Sequence, residues 1–382
     1  MGSRQVTARP GRRVVRILVI NAGSSTLKLT LLNGKDIVLA ERELPTPLAR
    51  IDPVEVRKAL DSDLREADAV GHRVVHGGER FREAVRIDVD VERELRELVD
   101  LAPLHQPKSL AALDAVTEAL PDLPAVACFD TAFHAGLPHA AATYALPAEW
   151  RERWGLRRYG FHGLSHAWVA RRVPELIHRD AHGLRIVSCH LGAGASLCAI
   201  QDGKSLDTTM GFTPLEGLVM ATRSGSVDPG MLLWLLEREE LSAHELADTL
   251  EHRSGLLGLA GTADMREILL RVDASDPPAQ LALGVYIHRL RAGIAAMTAS
   301  LAGIDVLAFT GGVGEHSSAV RALATERLGF LGVALDATRN EAASTDADIS
   351  ASGSRVHAVV IGAREDLEIA RQVRAALSRA DA

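Results

Sequence analysis

The sequence lacks any uninterrupted apolar run of the roughly 18 residues that a membrane-spanning helix requires, so no membrane span is predicted. Cysteine is also scarce, because only Cys128, Cys189 and Cys198 occur in 382 residues. All three lie in apolar runs without metal-ligand spacing, and their odd number argues against a secreted disulfide framework. We therefore expect small core residues in a reducing, cytoplasmic environment.

An excess of positive charge is missing as well. The chain has 43 Lys and Arg against 50 Asp and Glu, a net charge of −7. This balance argues against nucleic acid as the main partner. The first 15 residues carry four arginines and no acid but lack the apolar segment of a signal peptide. We expect residues 1–15 to be a disordered extension.

A hairpin-like pattern occurs twice in the chain, and the second copy begins 169 residues after the first. RILVINAGSSTLKLTLLNGK (Arg16–Lys35) aligns without a gap with RIVSCHLGAGASLCAIQDGK (Arg185–Lys204). Each copy reads as a buried strand, a turn of small residues, a second strand and a Gly-Lys turn. Strands and helices alternate elsewhere, which indicates the α/β class. The repeat therefore predicts a duplicated α/β domain with a cleft between the halves.

Gly-rich loops follow several predicted strands at the point where each strand ends. They are Asn21–Lys28, Gly192–Ser196, Thr310–Ser317 and Gly362–Asp366. Ligands of open α/β sheets bind beyond the carboxyl ends of strands, where turns of small residues let backbone N–H groups approach a phosphate. None of the loops matches the Walker pattern or a protein-kinase glycine loop. We expect a nucleotide or phosphate site that is built in another way.

Five charged or titratable side chains are candidates for the chemistry. Arg73 and Arg223 are flanked by apolar and small residues, which suits binding of a carboxylate or phosphate, although a structural ion pair with a buried acid is equally open. Asp130 and Glu365 each close a predicted strand and are candidates for Mg²⁺ or for helix capping. His162 is a candidate catalytic histidine, although a lone histidine is more often structural.

Ten blocks of the sequence, taken in order, resemble those of the acetate kinase family. They are NAGSSTLK, GHRVVHGGERF, APLHQP, FDTAFH, YGFHGLSH, CHLGAGAS, TTMGFTPLEGL, TRSGSVDPG, FTGGVGEHS and AREDLEIAR. The resemblance extends over nearly the whole chain from Arg16. It implies the duplicated ribonuclease-H-like fold of actin, sugar kinases and the Hsp70 ATPase. We expect an N-terminal domain at 16–134 plus 367–382 and a C-terminal nucleotide-binding domain at 135–366.

The resemblance also implies an activity and roles for individual residues. The family consists of Mg²⁺-dependent cytoplasmic homodimers, with Mn²⁺ as an alternative metal, that interconvert acetate and ATP with acetyl phosphate and ADP by direct in-line transfer. The catalytic residues would be Asp130, Arg73, Arg223 and His162, of which His162 and Arg223 stabilise the transition state. The substrate would contact Arg73, Val75, Phe161, Pro214 and Arg223, and the metal would contact Asn21, Asp130 and Glu365. Nucleotide and phosphates would contact Asn21, Ser24, Thr26, Lys28, His190, Gly192, Gly194, Asp264, Arg266, Gly311, Gly312 and Gly314, with His105 nearby.

Two positions depart from the pattern of the family. Ala193 in HLGAG and His316 in GEH each stand where the family has an asparagine. Loss of one hydrogen bond to a charged group costs about 1.5–3 kcal/mol. We therefore expect altered turnover or an altered phosphoryl donor (ATP, GTP or pyrophosphate) rather than another reaction class.

Three alternatives stay open at the level of sequence. A propionate or butyrate kinase would use the same scaffold, because one methylene in an apolar pocket discriminates by only about 1–3 kcal/mol. A nucleotide-binding regulator that has lost catalysis is a second alternative. A hydrolase of polyphosphate or acyl phosphate is a third, and it would need no carboxylate acceptor.

Overall fold

The computed structural model describes residues 16–380, except 24–25, 47–50, 61–62, 103–105 and 239–240. The predicted extension at 1–15 and the candidate residues Ser24 and His105 therefore lie outside the described residues. The chain divides into two compact units. Unit 1 ends at Phe133 and also includes the C-terminal segment from Arg364, and unit 2 is His134–Ala363.

The strands and helices alternate along much of the chain. The strands are β1 (Ile17–Ala22), β2 (Thr26–Leu32), β3 (Val38–Pro45), β4 (Ala69–Val74), β5 (Val85–Arg86), β6 (Ala125–Phe129), β7 (Arg185–Leu191), β8 (Ala195–Gln201), β9 (Lys204–Thr208), β10 (Val306–Thr310), β11 (Ala347–Asp348) and β12 (His357–Val360). The helices are α1 (Pro53–Ala59), α2 (Val89–Glu97), α3 (Gln106–Ala119), α4 (His139–Ala142), α5 (Ala148–Trp154), α6 (Gly163–Leu176), α7 (Pro229–Arg238), α8 (Ala243–His252), α9 (Gly255–Ala260), α10 (Met265–Asp273), α11 (Pro277–Ser300), α12 (Gly311–His316), α13 (Ser318–Thr325), α14 (Ala337–Ala342) and α15 (Glu365–Ala380).

Each unit is built around one six-stranded mixed sheet. In unit 1 the order is β3-β2-β1-β4-β6-β5, and in unit 2, from the corresponding edge, it is β9-β8-β7-β10-β12-β11. In both sheets three antiparallel strands precede a central parallel pair, β1 with β4 and β7 with β10. The repeated sequence pattern forms the equivalent hairpins β1–β2 and β7–β8. The predicted duplicated α/β architecture is confirmed.

Helices cover both faces of the sheet in unit 1. α3 presents Leu110, Ala112 and Leu113 to one face, where they are buried. α15 packs against β1, β4 and β6. The approach of α15 is so close that a Cβ at Gly71 would lie 2.6 Å from Val373. A side chain larger than hydrogen at position 71 would therefore push α15 away from the sheet.

The central strands of each sheet end at the candidate residues. β4 pairs in parallel with both β1 and β6. Asn21, Arg73 and Asp130 therefore lie at the same end of the sheet. The loop after β7 and the start of α12 after β10 meet in the same way in unit 2. Topology thus collects residues that are far apart in sequence at one end of each sheet.

Two expectations from composition can be compared with the structure. Cys128, Cys189 and Cys198 are free and buried, as the apolar sequence around them predicts. Among the described residues, no helix combines the length and apolarity needed to cross a lipid bilayer.

Candidate functional site

Asn21, Arg73, Asp130 and Glu365 form one connected group in unit 1, here called the carboxylate cluster. Arg73 donates to Asp130 from Nε at 3.1 Å and from Nη2 at 2.6 Å. Its Nη1 donates to Asn21 Oδ1 and to the carbonyl oxygen of Ala22, both at 3.2 Å. Of the two alternatives open for Arg73, the ion pair with a buried acid is therefore the one observed.

Arg73 places one positive charge beside the two carboxylates of the carboxylate cluster. Burial lowers the pKa of Arg73, but the charges of Asp130 and Glu365 outweigh this effect and raise the pKa above its ordinary value. Burial raises the pKa of Asp130, and the Arg73 charge opposes that rise. We take the pair as ionised, because Arg73 stays protonated at neutral pH and lies 2.6 Å from the carboxylate.

The donor set of the carboxylate cluster fits Mg²⁺. Glu365 Oε2 accepts from Asn21 Nδ2 at 2.8 Å and lies 4.0 Å from Arg73 Nε. The negative charge of Glu365 raises the pKa of Asp130, so the two carboxylates repel each other. In the described part of the chain, no three His, Cys, Asp or Glu side chains group as a complete metal site. Mg²⁺ commonly takes one or two carboxylates and completes its shell with waters and substrate phosphates.

The turn after β1 carries the other phosphate candidates of unit 1. Its backbone closes with a hydrogen bond from Gly23 N to the Thr26 carbonyl oxygen at 2.9 Å. Lys28, in contrast, is half exposed and lies 3.7 Å from Glu43. Of these two predicted residues, only Thr26 belongs to the closed turn, and Lys28 points to a surface ion pair.

Sequence reasoning did not identify Lys108, which lies at the same turn. Its side chain is buried, and Nζ donates to the carbonyl oxygen of Gly23 and to Thr46 Oγ1. Burial and the nearby charge of Arg73 lower the pKa of Lys108 to about 8. The only signal for it was a lysine in the first turn of α3, next to the apolar and small residues of that helix. Such a lysine on an apolar face is easily read as a solvated surface charge.

His162 and Arg223 converge on Gly194 in unit 2. A Cβ at Gly194 would lie 3.2 Å from Cε1 and Nε2 of His162 and 3.5 Å from Nη1 of Arg223. His162 has the left-handed φ of +56°, which is uncommon for a residue with a side chain, and directly precedes α6. Because residue 194 is glycine, its backbone can lie close to a cation and an imidazole edge. This arrangement suits an anion.

Arg223 is held by contacts inside unit 2. Its Nε lies 3.0 Å from Glu251 Oε2, and its Nη1 donates to the carbonyl oxygen of Pro214 at 3.3 Å. Burial lowers the pKa of Arg223, and the charge of Glu251 opposes this effect. The ion pair considered for Arg223 is therefore observed, and its Nη1 lies beside Gly194. Glu251, which had no place in the sequence-level prediction, supplies the counter-charge.

The residues predicted for the acetate methyl group are apolar and buried. Phe161 is 1% exposed, and its carbonyl oxygen lies 3.1 Å from His134 Nε2. Pro214 is buried beside Arg223, which its carbonyl oxygen contacts. Val75 is buried in unit 1. The structure thus brings Pro214 to Arg223 and shows that all three residues are buried.

The glycine loops of unit 2 lie against each other. Gly192 N donates to the Gly194 carbonyl oxygen at 2.9 Å. Gly311 has φ of +78°, and a Cβ there would lie 2.8 Å from the Leu191 carbonyl oxygen. The fully buried Arg321 donates to the carbonyl oxygens of Gly314 at 2.9 Å and of Glu315 at 2.7 Å. Glycine at 311 and the guanidinium beneath α12 together hold the second loop in place.

Other nucleotide candidates are distributed over unit 2. His190 stacks on His162 with 4.3 Å between ring centroids. Gly312 has open space where a Cβ would be. Asp264 caps α10 and accepts from Arg266 Nη2 at 2.6 Å. Among the described residues, no hydrogen bond or ion pair joins this Asp–Arg pair to the glycine loops.

Comparison with known proteins adds a second kind of finding. The model of the Acetokinase family matches residues 36–371. An acetate kinase of Gloeobacter violaceus is 50% identical over 313 residues, which cover 81% of this chain and 77% of the relative.

Solved structures agree with the sequence relatives. The acetate kinase of Porphyromonas gingivalis is 36% identical at a TM-score of 0.86, covering 95% of this chain and 100% of its own. A propionate kinase from Francisella tularensis is 33% identical at a TM-score of 0.86, and the match covers 94% of this chain and 98% of that enzyme. These likenesses confirm the predicted fold class. The family match extends over most of the chain, and this protein therefore belongs to the acetokinase family.

Proposed function

We propose that the protein is an acetate kinase that transfers the γ-phosphoryl group of ATP to acetate, reversibly, giving acetyl phosphate and ADP. The observation that carries the proposal is the convergence of His162 and Arg223 on the bare backbone of Gly194. Family membership supports the choice of phosphoryl acceptor, because several relatives at 40–50% identity bear the name acetate kinase.

The transferring phosphoryl group would lie beside Gly194. In-line transfer passes through a loose transition state whose charge is spread over the equatorial oxygens of the phosphoryl group. Arg223 would neutralise that charge, and His162 would donate a hydrogen bond to it. An acetate oxygen attacks phosphorus as the bond to the ADP oxygen breaks. Acetate is already deprotonated at neutral pH, so no general base is required.

Arg73 would orient the carboxylate of acetate. Its two Nη1 contacts of 3.2 Å are long for a guanidinium and could be exchanged for a substrate oxygen, while the Asp130 pair keeps the planar group in place. Asp130 thereby acts at the catalytic centre by holding Arg73. The buried apolar side chains of Val75, Phe161 and Pro214 would surround the methyl group.

Asn21, Asp130 and Glu365 would hold Mg²⁺, with Mn²⁺ as the alternative. When bound, the metal ion neutralises charge on the nucleotide phosphates. The phosphates and nucleotide would contact backbone and side chains of Asn21, Ser24, Thr26, Lys28, His190, Gly192, Gly194, Gly311, Gly312 and Gly314, with Asp264 and Arg266 toward the adenosine. The two domains would be 16–134 plus 367–382, and 135–366.

Cytoplasmic location and a homodimer complete the proposal. Three free, buried cysteines support a reducing compartment. The homodimer rests on the family resemblance alone, and the mass of the purified protein in solution would test it.

A hydroxamate trap for acyl phosphate tests the proposed reaction. We expect acetyl hydroxamate to form only when acetate, ATP and Mg²⁺ are all present, because each supplies one part of the in-line transfer. Replacing ATP with GTP or pyrophosphate in parallel reactions would establish the donor. ADP formation without added carboxylate would instead indicate a hydrolase, and no turnover with any acid would indicate a regulator.

A propionate kinase is the second candidate, favoured by the likeness to the Francisella tularensis enzyme. The ratio of kcat/KM for acetate, propionate and butyrate decides between them. We expect acetate to have the highest value, and a larger value for propionate would change the assignment but not the reaction class.

Substituting Ala193→Asn is expected to raise activity with ATP, or at least not lower it. Ala193 is exposed, so a larger side chain meets no steric obstacle, and its carbonyl oxygen accepts from Ala221 N at 3.1 Å in either variant. The new amide could donate to a nucleotide phosphate. The measurement is kcat/KM for ATP, with Ala193→Leu as the control of similar size. A sharp loss in the asparagine variant alone would mean that the loop is adapted to alanine.

A further inference from the structure

His162 is connected to a buried row of alternating hydroxyl and imidazole groups in unit 2. Ser196 Oγ lies 3.0 Å from His162 Nδ1 and 2.8 Å from His166 Nε2. Ser188 Oγ lies 2.8 Å from His166 Nδ1. Ser188, Ser196 and His166 are each fully buried. We call these three residues the buried relay.

Each side chain of the buried relay has one hydrogen-bond donor. His166 is neutral, because burial lowers its pKa well below the ordinary value and its two ring nitrogens contact only hydroxyl groups. A neutral imidazole has one N–H donor and one acceptor nitrogen, and each serine has one O–H donor. Within the described part of the chain, Ser196 Oγ contacts only His162 Nδ1 and His166 Nε2, so its own O–H donates to one of them. The hydrogen bonds therefore all run toward His162 or all run away from it.

The buried end of the row, at Ser188, decides the direction of its hydrogen bonds. Within the described part of the chain, Ser188 Oγ has His166 Nδ1 as its hydrogen-bond partner and no other. If the bonds ran toward Ser188, its own O–H would be left without an acceptor at a fully buried position, which is costly. If Ser188 donates, every proton in the row is used. The favoured order is Ser188 to His166 Nδ1, His166 Nε2–H to Ser196, and Ser196 to His162 Nδ1.

We propose that Ser188, His166 and Ser196 are positioning residues that keep His162 in the tautomer with its proton on Nε2. An Nδ1 that accepts from Ser196 carries no proton, so the ring proton of His162 is on the other nitrogen. Nε2 and Cε1 are the ring atoms that lie beside Gly194, where Arg223 Nη1 also lies, and of the two only Nε2 can carry a proton that donates. A proton there donates to an anion, whereas a lone pair there would repel it. This inference rests on the proposed function for its catalytic consequence, but not for the tautomer itself.

Other titratable groups surround the same rings. His190 stacks on His162, and His134 meets His166 edge-on with 5.7 Å between centroids. Ser165 Oγ lies 2.8 Å from Nδ1 of His190 and Ser205 Oγ lies 2.8 Å from Nδ1 of His134, so each of these histidines has its own serine. Ser196 lies between two imidazoles, so its loss interrupts the row.

The test begins with Ser196→Ala in the full-length protein. We expect kcat for acetyl phosphate formation to fall about tenfold, as loss of one orienting hydrogen bond would give, with KM for acetate changed less than about twofold. The imidazole ¹⁵N shifts of His162, assigned by their loss in His162→Gln, should change from the Nε2–H tautomer to a mixture. Ser196→Thr keeps the hydroxyl and should restore both kcat and the Nε2–H tautomer of His162.

A double-mutant cycle separates positioning from general destabilisation. In a His162→Ala background, adding Ser196→Ala should change kcat less than about twofold, because the relay acts through His162. A tenfold loss that persists in that background would overturn the proposal. Ser205→Ala is the matched control, since it removes another buried serine from a histidine, His134, and should leave kcat within about twofold of wild type.

Three further outcomes are distinguishable. If Ser196→Ala does not fold, Ser188→Ala removes the donor at the buried end and should give the same tautomer change. If the wild-type protein makes no acetyl phosphate, the proposed function fails, and the ¹⁵N shifts alone decide the relay. A wild-type His162 with its proton on Nδ1 would show the proposed direction to be wrong.

Discussion

Replacing Arg223 with alanine is expected to lower kcat for acyl phosphate formation by about 10³-fold, the range in which an arginine acts on phosphoryl transfer. Its guanidinium lies beside Gly194 and His162, where the proposed transition state accumulates charge. KM for acetate and ATP should change much less than kcat, because the loss is felt mainly in the transition state. Steady-state kinetics with the hydroxamate trap provides the measurement.

Arg185→Ala is the matched control for this variant. Arg185 also forms an ion pair in unit 2, with Asp305 at 2.9 Å, but it starts β7 at the end opposite the glycine loops. Its loss should leave kcat within about threefold of wild type. Arg223→Lys keeps the charge paired with Glu251 and should fold even if the alanine variant does not. Near-normal turnover in folded Arg223→Ala would remove this arginine from the mechanism.

Replacing Arg73 with alanine is expected to lower both activity and stability. Asp130 would be left buried without its bidentate partner, and breaking a buried pair in this way costs about 3–5 kcal/mol. Loss of the proposed carboxylate ligand should lower kcat by roughly 10²–10³-fold, the range seen for a single stabilising donor. Thermal unfolding and steady-state kinetics on the same preparation would measure the two effects.

Arg371→Ala is the control that separates loss of activity from loss of stability. Arg371 also pairs side-on with a fully buried acid of unit 1, Glu368 at 2.6 Å, but it lies outside the carboxylate cluster. A similar fall in unfolding temperature with unchanged kcat is expected for this control. If Arg73→Ala loses stability to the same extent but keeps its turnover, Arg73 is a structural ion pair alone.

Several parts of the fold and site could be read from sequence because they are local. The hairpin repeat, the ends of the strands at Asn21 and before Asp130, and the glycine at 311 each depend on a few neighbouring residues. Hydrophobic runs and turn residues encode such features directly. The family blocks then extended the prediction to whole sets of residues, whose roles stay proposals.

Other features depend on residues that the sequence separates widely. In the sequence, Lys108 is an ordinary helical lysine. In the structure its Nζ donates to the carbonyl oxygen of Gly23, and burial lowers its pKa. The partner of Arg223, Glu251, sits 28 positions further along on α8. Nothing in the local pattern around either acceptor or donor indicates these contacts.

By itself the sequence determined the α/β class, the duplication and the places where strands end, since these follow from the periodicity of neighbouring side chains. Only the tertiary structure decided which polar and charged groups meet. Asn21 and Glu365 are 344 positions apart, yet their side chains share a hydrogen bond of 2.8 Å. Such pairs form because packing of α15 on its sheet brings the two backbones together, and no local propensity carries that information.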